Sequence, residues 1–264
     1  MHATDRSTSS GFVCGLMSGL TQSGVFNAYD RAMYHSIVHR RPFLDSTNWR
    51  GNPFAGVSPS FLQRSFSAGL YFPLEDLFKR HVSSNYAVDG LMVGFVGGVL
   101  TTPFNTVKYS MWSQGVGPSA LPAPALISTA KSLLREGGFS RLMRGVGPTL
   151  YRDMTFGVTF SVLRHQADNG FYNNALAAFV ATVLSSPFNY ARMQVYGVKS
   201  GTPKSTRFIL NAWRNEVMSS SFGWKQRMCY AVRSLNVVWG ALRVGMGMGL
   251  GSQIYNWCNA KSLN

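Results

Sequence analysis

The chain has 264 residues, of which 45% are hydrophobic and only 13% charged, yet its net charge is +15. So few charges with so strong a bias argue against an ordinary soluble domain and fit a membrane protein facing anionic lipid. The longest basic run is His39-Arg40-Arg41, without the dense basic patches and interleaved aromatics of a nucleic-acid binder, so no nucleic-acid partner is expected.

Charge-free windows at 7–29, 90–107, 170–191 and 244–260 place four membrane spans. Two further windows, 65–74 and 154–163, are short and preceded by Arg64 and by Arg152-Asp153. As spans they carry charge near mid-membrane, which must face a protein interior or a water-filled cavity. The expected fold is therefore all-α, with six helices at roughly 9–34, 58–80, 86–112, 145–166, 170–197 and 235–259. Short surface helices are expected at Ala125–Glu136 and Arg207–Met218 in the polar segments between them. Residues 31–50, 108–144 and 192–233 hold 17 of the 25 Lys/Arg against Asp45, Glu136 and Glu216, which puts these loops on one side of the membrane and both termini on the other.

The odd-numbered helices carry small residues four apart: Gly11, Gly15 and Gly19; Gly90, Gly94 and Gly98; Ala177, Ala181 and Ser185. Such ladders let helix backbones approach closely in lipid. Gly245, Gly247, Gly249 and Gly251 alternate instead and share no helix face; they read either as close packing or as a loosened last helix. Each odd helix also closes on one motif: Val25-Phe26-Asn27-Ala28-Tyr29-Asp30, Pro103-Phe104-Asn105-Thr106-Val107-Lys108 and Pro187-Phe188-Asn189-Tyr190-Ala191-Arg192. A period near 80 suits a triplicated two-helix unit, with repeats at approximately 1–85, 86–168 and 169–264 in one membrane domain.

Little here points to catalysis. Cys14, Cys229 and Cys258 show no CxxC spacing, and His35 and His39 have only Asp45 nearby as a further ligand, so neither a disulfide framework nor a metal site is expected. No Gly-rich phosphate loop, Ser-His-Asp signature or paired-carboxylate pattern stands out, and an enzyme is not expected. No secretory signal is read, and Met1 to Ser10 is short for an amphipathic transit peptide.

Three two-helix repeats, small-residue odd helices and the Pro-aromatic-x-x-x-basic motif resemble the mitochondrial carrier family along the whole chain. The family's P-x-[DE]-x-x-[KR] reads here with Asn27, Asn105 and Asn189 at the third position and Asp30, Lys108 and Arg192 at the sixth. Met143-Arg144-Gly145-Val146-Gly147-Pro148 and Gly56-Val57-Ser58-Pro59 resemble the opening of the family's even helices, and Trp239 stands where the sixth helix should have its proline. The resemblance implies six helices around a pseudo-threefold axis in the mitochondrial inner membrane, with the termini on the intermembrane-space side. It places substrate contacts on Gln63 with Arg64, on Arg152 with Asp153, and on Arg243. Asp153 need not pair with Arg152, about 100° away around the helix, and Arg64 and Arg243 are alternative partners to an internal Arg152–Asp153 pair. The matrix gate falls on the three Asn positions with Asp30, Lys108 and Arg192, where Asp30 is the one acid able to meet Lys108 or Arg192. The opposite gate keeps both charges only at Asp76 and Lys79; His165 with Asp168 and Asn256 with Asn259 stand at the other two places. Bound cardiolipin is implied at Trp49-Arg50-Gly51 and Arg144-Gly145.

Three asparagines cannot supply an ion-pair ring, though each can brace a helix end. The expected function is therefore a carrier-family protein with degenerate gates, kept as an accessory subunit of an inner-membrane assembly such as a respiratory complex. The alternative is a working carrier that exchanges a small carboxylate or an amino acid, supported by the arginines and Asp153 of the central cluster.

Overall fold

The computed structural model describes residues 3–67, 78, 85–114, 125–166, 171–198, 204–219 and 223–262, and among these the regular structure is helical. In chain order the helices are α1 (Ala3–Val38), α2 (Ser46–Trp49), α3 (57–67 as described), α4 (Tyr86–Gln114), α5 (Ala125–Leu142), α6 (Val146–Gln166), α7 (Phe171–Gly197), α8 (Thr206–Ser219), α9 (Trp224–Ser234) and α10 (Val237–Ser262). Of these, α1, α4, α6, α7 and α10 fall where the charge-free windows and their flanks predict, and α3 falls in the first part of the predicted 58–80 helix, whose residues 68–77 and 79–80 lie outside the described ones. The expected surface helix at Ala125–Glu136 is the first part of α5, which breaks at Gly137 and Gly138, the latter at φ +64°. Helix α9 was not expected; its polar sequence hides it among loop residues.

One described stretch, Tyr86–Ser113, is both long and apolar enough to cross a membrane on its own sequence. The other long helices carry Asp30, Arg64, Arg152, Asp153, Arg192 and Arg243, and these charges lower their mean hydropathy while facing a shared interior cavity.

The even helices start by a common device. Gly56 and Gly145 take left-handed backbone conformations (φ +71° and +80°), and Pro59 and Pro148 follow three residues later in the first turn, where a missing N–H costs no helical hydrogen bond. In α10 the turn is kept with other residues: Asn236 adopts φ +49° and Trp239 occupies the proline position. Gly56, Gly145 and Asn236 each precede by seven residues the side chains Gln63, Arg152 and Arg243, so backbone geometry supports the register of the sixth helix. At the start of the first basic loop, Asp45 caps α2: its carboxylate accepts from the Thr47 amide (2.9 Å) and hydroxyl (2.7 Å). The Thr47 backbone hydrogen bond, then the hydroxyl, hold this carboxyl below its usual 3.8. A lowered folded-state pKa contributes stability that is complete above 3.8 and fades as pH falls through the lowered value. Asp45→Ala is therefore expected to speed amide exchange at Thr47–Trp49 at neutral pH and to leave it unaltered at a pH that protonates the wild-type carboxyl.

Contacts between the long helices run α1–α3, α3–α4, α4–α6, α6–α7, α7–α10 and α10–α1, closing a ring. The small-residue ladders make the near approaches. A Cβ on Gly19 would lie 2.9 Å from the Ser65 nitrogen of α3, and Cβ atoms on Gly90 and Gly94 would collide with the carbonyls of Gly157 and Asp153 in α6. Ala177, Ala178 and Ala181 are buried with Phe160 and pack against Val244 and Met248 of α10. The alternating glycines of α10 resolve into contacts on two sides: Gly245 faces the Ala175 carbonyl of α7, and Gly251 faces Ser18 and Gln22 of α1. Helix α10 is continuous through them, so these glycines mark close packing and not a loosened helix. The repeated phenylalanines also pack: Phe104 stacks on Phe66, Phe188 on Tyr151, and Phe26 lies under the Arg243 guanidinium.

Candidate functional site: a charged central cavity

The ring of helices encloses a cavity of about 560 Å³. Asp30 (α1), Gln63 and Arg64 (α3), Lys108 (α4), Arg152 and Asp153 (α6), Asn189 and Arg192 (α7) and Arg243 (α10) all line it. The substrate-contact candidates and the sixth-position gate residues thus share one chamber.

Its ion pairing differs from the sequence expectation. Asp30 meets neither Lys108 nor Arg192. It accepts instead from Arg64 and, with both oxygens, from Arg243 Nε (2.6 Å) and Nη2 (3.0 Å). One carboxylate so ties α1 to α3 and α10, the two even helices that flank it. Arg64 also donates to Gln22 Oε1 (3.2 Å). Of the partners left open by the sequence, Asp153 pairs with its chain neighbour Arg152, at 2.5 Å, and not with Arg64 or Arg243. Neighbouring residues point about 100° apart on a helix, but a long guanidinium can fold back across that angle.

Lys108 and Arg192 are left to neutral acceptors: Lys108 Nζ donates to Gln63 Oε1 (2.6 Å) and Arg192 Nη2 to Asn189 Oδ1 (2.7 Å). The three asparagines have diverged in role. Asn27 braces the first basic loop, donating to the carbonyls of Pro53 (2.7 Å) and Ala55 (3.0 Å) and accepting from Ser60 (3.1 Å). Asn189 serves Arg192. Asn105 is buried and its side-chain amide has no hydrogen-bond partner.

An aromatic layer closes the cavity toward the basic loops. Tyr34, Tyr109, Trp112 and Tyr196 are buried, with ring centroids 4.6–5.8 Å apart in the contacting pairs. Trp112 Nε1 donates to the Ala55 carbonyl (2.8 Å), and Lys108 Nζ lies 5.1 and 5.3 Å from the Tyr109 and Trp112 rings. The sequence reading missed this layer, although its signal is periodic: Tyr34, Trp112 and Tyr196 each stand four residues after a sixth motif position, Asp30, Lys108 and Arg192.

Of the opposite-gate positions, Asp76, Lys79 and Asp168 lie outside the described residues, as do the side chains of Asn256 and Asn259. His165 stacks on Tyr86 with centroids 3.9 Å apart. Among the lipid candidates, the Trp49 ring packs on Tyr29 and Phe43, the Arg50 carbonyl accepts from Arg31 (2.5 Å), and Gly51 has φ +95°. Arg144 is buried, and its Nε and Nη2 lack hydrogen-bond partners.

Residues 82–174 match the family model described as mitochondrial carrier protein. Over 110 residues, 36% of this chain, the sequence is 30% identical to mitochondrial substrate carrier family protein Y of Dictyostelium discoideum, covering 25% of that protein. Over 171 residues, 58% of this chain, it is 25% identical to mitochondrial magnesium exporter 1 of Drosophila melanogaster, covering 56% of that protein. The matches thus span about a quarter and about half the length of these relatives. Over these stretches the chain is similar to mitochondrial carriers. Members of this family are multi-pass transporters of the mitochondrial inner membrane, not enzymes. The names of both relatives describe transport, and neither supports the accessory-subunit expectation.

Proposed function

We propose that this protein is a working carrier for a small carboxylate across the mitochondrial inner membrane. The observation that carries this reading is the lining of the cavity: among its described residues, six cations (Arg64, Lys108, Arg152, Arg164, Arg192 and Arg243) face two carboxylates, Asp30 and Asp153. Both carboxylates are already held by arginines. The chamber therefore attracts anions and leaves no carboxylate open to a substrate ammonium, which favours a carboxylate over an amino acid. By the same charge balance it is a poor host for a bare divalent cation, whatever the Drosophila relative moves.

The wider reading is six spans in three repeats, approximately 1–85, 86–168 and 169–264, about a pseudo-threefold axis, with both termini on the intermembrane-space side. The closed ring of long helices supports it. Cardiolipin at Trp49-Arg50-Gly51 and Arg144-Gly145 belongs to the same proposal, supported by the buried Arg144 with two donor nitrogens open. Native mass spectrometry after mild extraction should find an anionic lipid retained.

The test of transport is reconstitution into liposomes with labelled carboxylates, amino acids and Mg²⁺. Saturable carboxylate exchange is expected, and Arg152→Ala should abolish it while the variant's abundance stays near that of wild type. No exchange above empty vesicles for any carboxylate would overturn the proposal. An accessory role would be indicated instead if native gels placed the protein in a large complex at fixed stoichiometry.

A further inference from the structure

We infer that the floor of the cavity holds a doubly charged oxyanion between Lys108 and Arg192, so that a bound solute supplies the negative charge that the matrix-side gate of this chain lacks. The inference rests on the cavity being open to solute, as the carrier reading above has it, and adds to that reading a location, a charge and a consequence for gating.

Lys108 and Arg192 are 6% and 8% exposed, and both line the cavity. A cation so far withdrawn from water needs a carboxylate or an equivalent anion to offset its lost hydration. Neither has one. The two carboxylates of the chamber are committed elsewhere, Asp30 to Arg64 and Arg243, and Asp153 to Arg152. What Lys108 and Arg192 hold are the side-chain carbonyls of Gln63 and Asn189, one each. Donors remain open: an ammonium carries three, of which Gln63 takes one, and Arg192 Nε has no partner.

The two cations also share a neighbour. Lys108 Nζ lies 5.1 Å, and Arg192 Cζ 6.0 Å, from the centroid of the one Tyr109 ring. That ring belongs to the aromatic layer closing the chamber, so the pair sits at its floor. Ring faces attract the cations but offer no acceptor to their N–H groups. An oxyanion with charge −2 satisfies both: one oxygen for the ammonium, another for the guanidinium edge. A monovalent anion would leave one cation uncompensated.

The consequence concerns the cycle. The third motif positions are asparagines, so the floor lacks internal acids to pair with Lys108 and Arg192. With a dianion bound, α4 and α7 are bridged through it; without one, the two cations repel across the floor. Occupancy and closure on the basic side are thereby coupled through the solute itself.

Isothermal titration of the full-length purified protein with malonate and with inorganic phosphate, against acetate and chloride at matched ionic strength, tests this. Wild type should bind at least one dianion and neither monovalent ion; whether it is malonate or phosphate identifies carboxylate or phosphate chemistry. Lys108→Gln and Arg192→Gln should each weaken binding about tenfold or more, as expected for a lost charge-assisted hydrogen bond. Asn189→Asp should weaken it as well, because the new carboxylate would occupy Arg192. Arg40→Gln, at the exposed pair with Glu216 (2.7 Å), should leave it unchanged and controls for net charge. Failure of folded wild type to bind either dianion, or equal binding by all three floor variants, would overturn the inference. Binding that is lost in the variants, in a protein that exchanges nothing in liposomes, would keep the anion site and remove the transport reading. Robust carboxylate exchange without the variant effects would do the reverse.

Discussion

Replacing Asp30 with asparagine should lower the melting temperature of the purified protein more than removing either arginine it holds. The carboxylate accepts from two guanidinium groups on two different helices, at 14% side-chain exposure, while Arg64 and Arg243 are 15% and 8% exposed. Removing the common acid strands both cations together, and the asparagine NH₂ would turn a donor toward donors. Loss of one partner from a buried pair costs about 3–5 kcal/mol, and a water-lined cavity puts this case near the lower figure. For a chain of this size that corresponds to a fall of roughly 6–12 °C. Arg64→Gln should cost less, because Asp30 keeps its two-oxygen contact with Arg243 and the new amide can still reach Gln22. A thermal scan in detergent checks the order Asp30→Asn, then Arg243→Gln, then Arg64→Gln. Equal stability of Asp30→Asn and wild type would mean that the three-way pairing is not a fixed part of the fold.

The same residue shows where sequence reasoning stops. The registers of Asp30, Arg64 and Arg243 are legible from spacing, since motif and helix starts recur at nearly fixed intervals. Their pairing is not, because it depends on which helices stand beside α1. The chain runs from α1 to α3 directly, but α10 reaches α1 only by closing the ring. Chain order alone therefore favoured partners at the same motif position, Lys108 and Arg192, which lie on α4 and α7. The asparagines show a related limit. Their neutral side chains cannot supply the acids of an ion-pair ring. That Asn27 turns outward to the carbonyls of Pro53 and Ala55 depends on the left-handed turn at Gly56, which brings that loop under α1. The aromatic layer was legible in principle. Tyr34, Trp112 and Tyr196 repeat at one offset, but aromatic residues make up 13% of this chain, so a threefold aromatic repeat stands out less than the sparse charges before it.

Truncating Trp112 to alanine should open that layer and cost both stability and tightness. Trp112 is 1% exposed; its ring touches Tyr34 and Tyr109, and its indole N–H donates to the Ala55 carbonyl at 2.8 Å. Large-to-small changes at buried aromatic positions cost about 3–5 kcal/mol, part of it from the cavity left behind. Here that void would adjoin the charged chamber on one side and the Gly56 turn on the other, where a Cβ would already lie 2.6 Å from the indole nitrogen. Water can enter a void bounded by polar groups, and a wet void in the floor would link the chamber to the basic side. Lys108 would lose one of its two ring faces at the same point. Vesicles carrying Trp112→Ala should therefore dissipate a pH gradient faster than vesicles carrying wild type. Trp112→Phe separates the two causes, since it keeps an aromatic plug but leaves the Ala55 carbonyl without this donor. Because Asn27 still donates to that carbonyl, the change should lower stability by only about 0.5–1.5 kcal/mol and leave the vesicles tight. A well-folded Trp112→Ala protein in vesicles as tight as wild type would show that the barrier lies elsewhere, and that the aromatic layer serves packing alone.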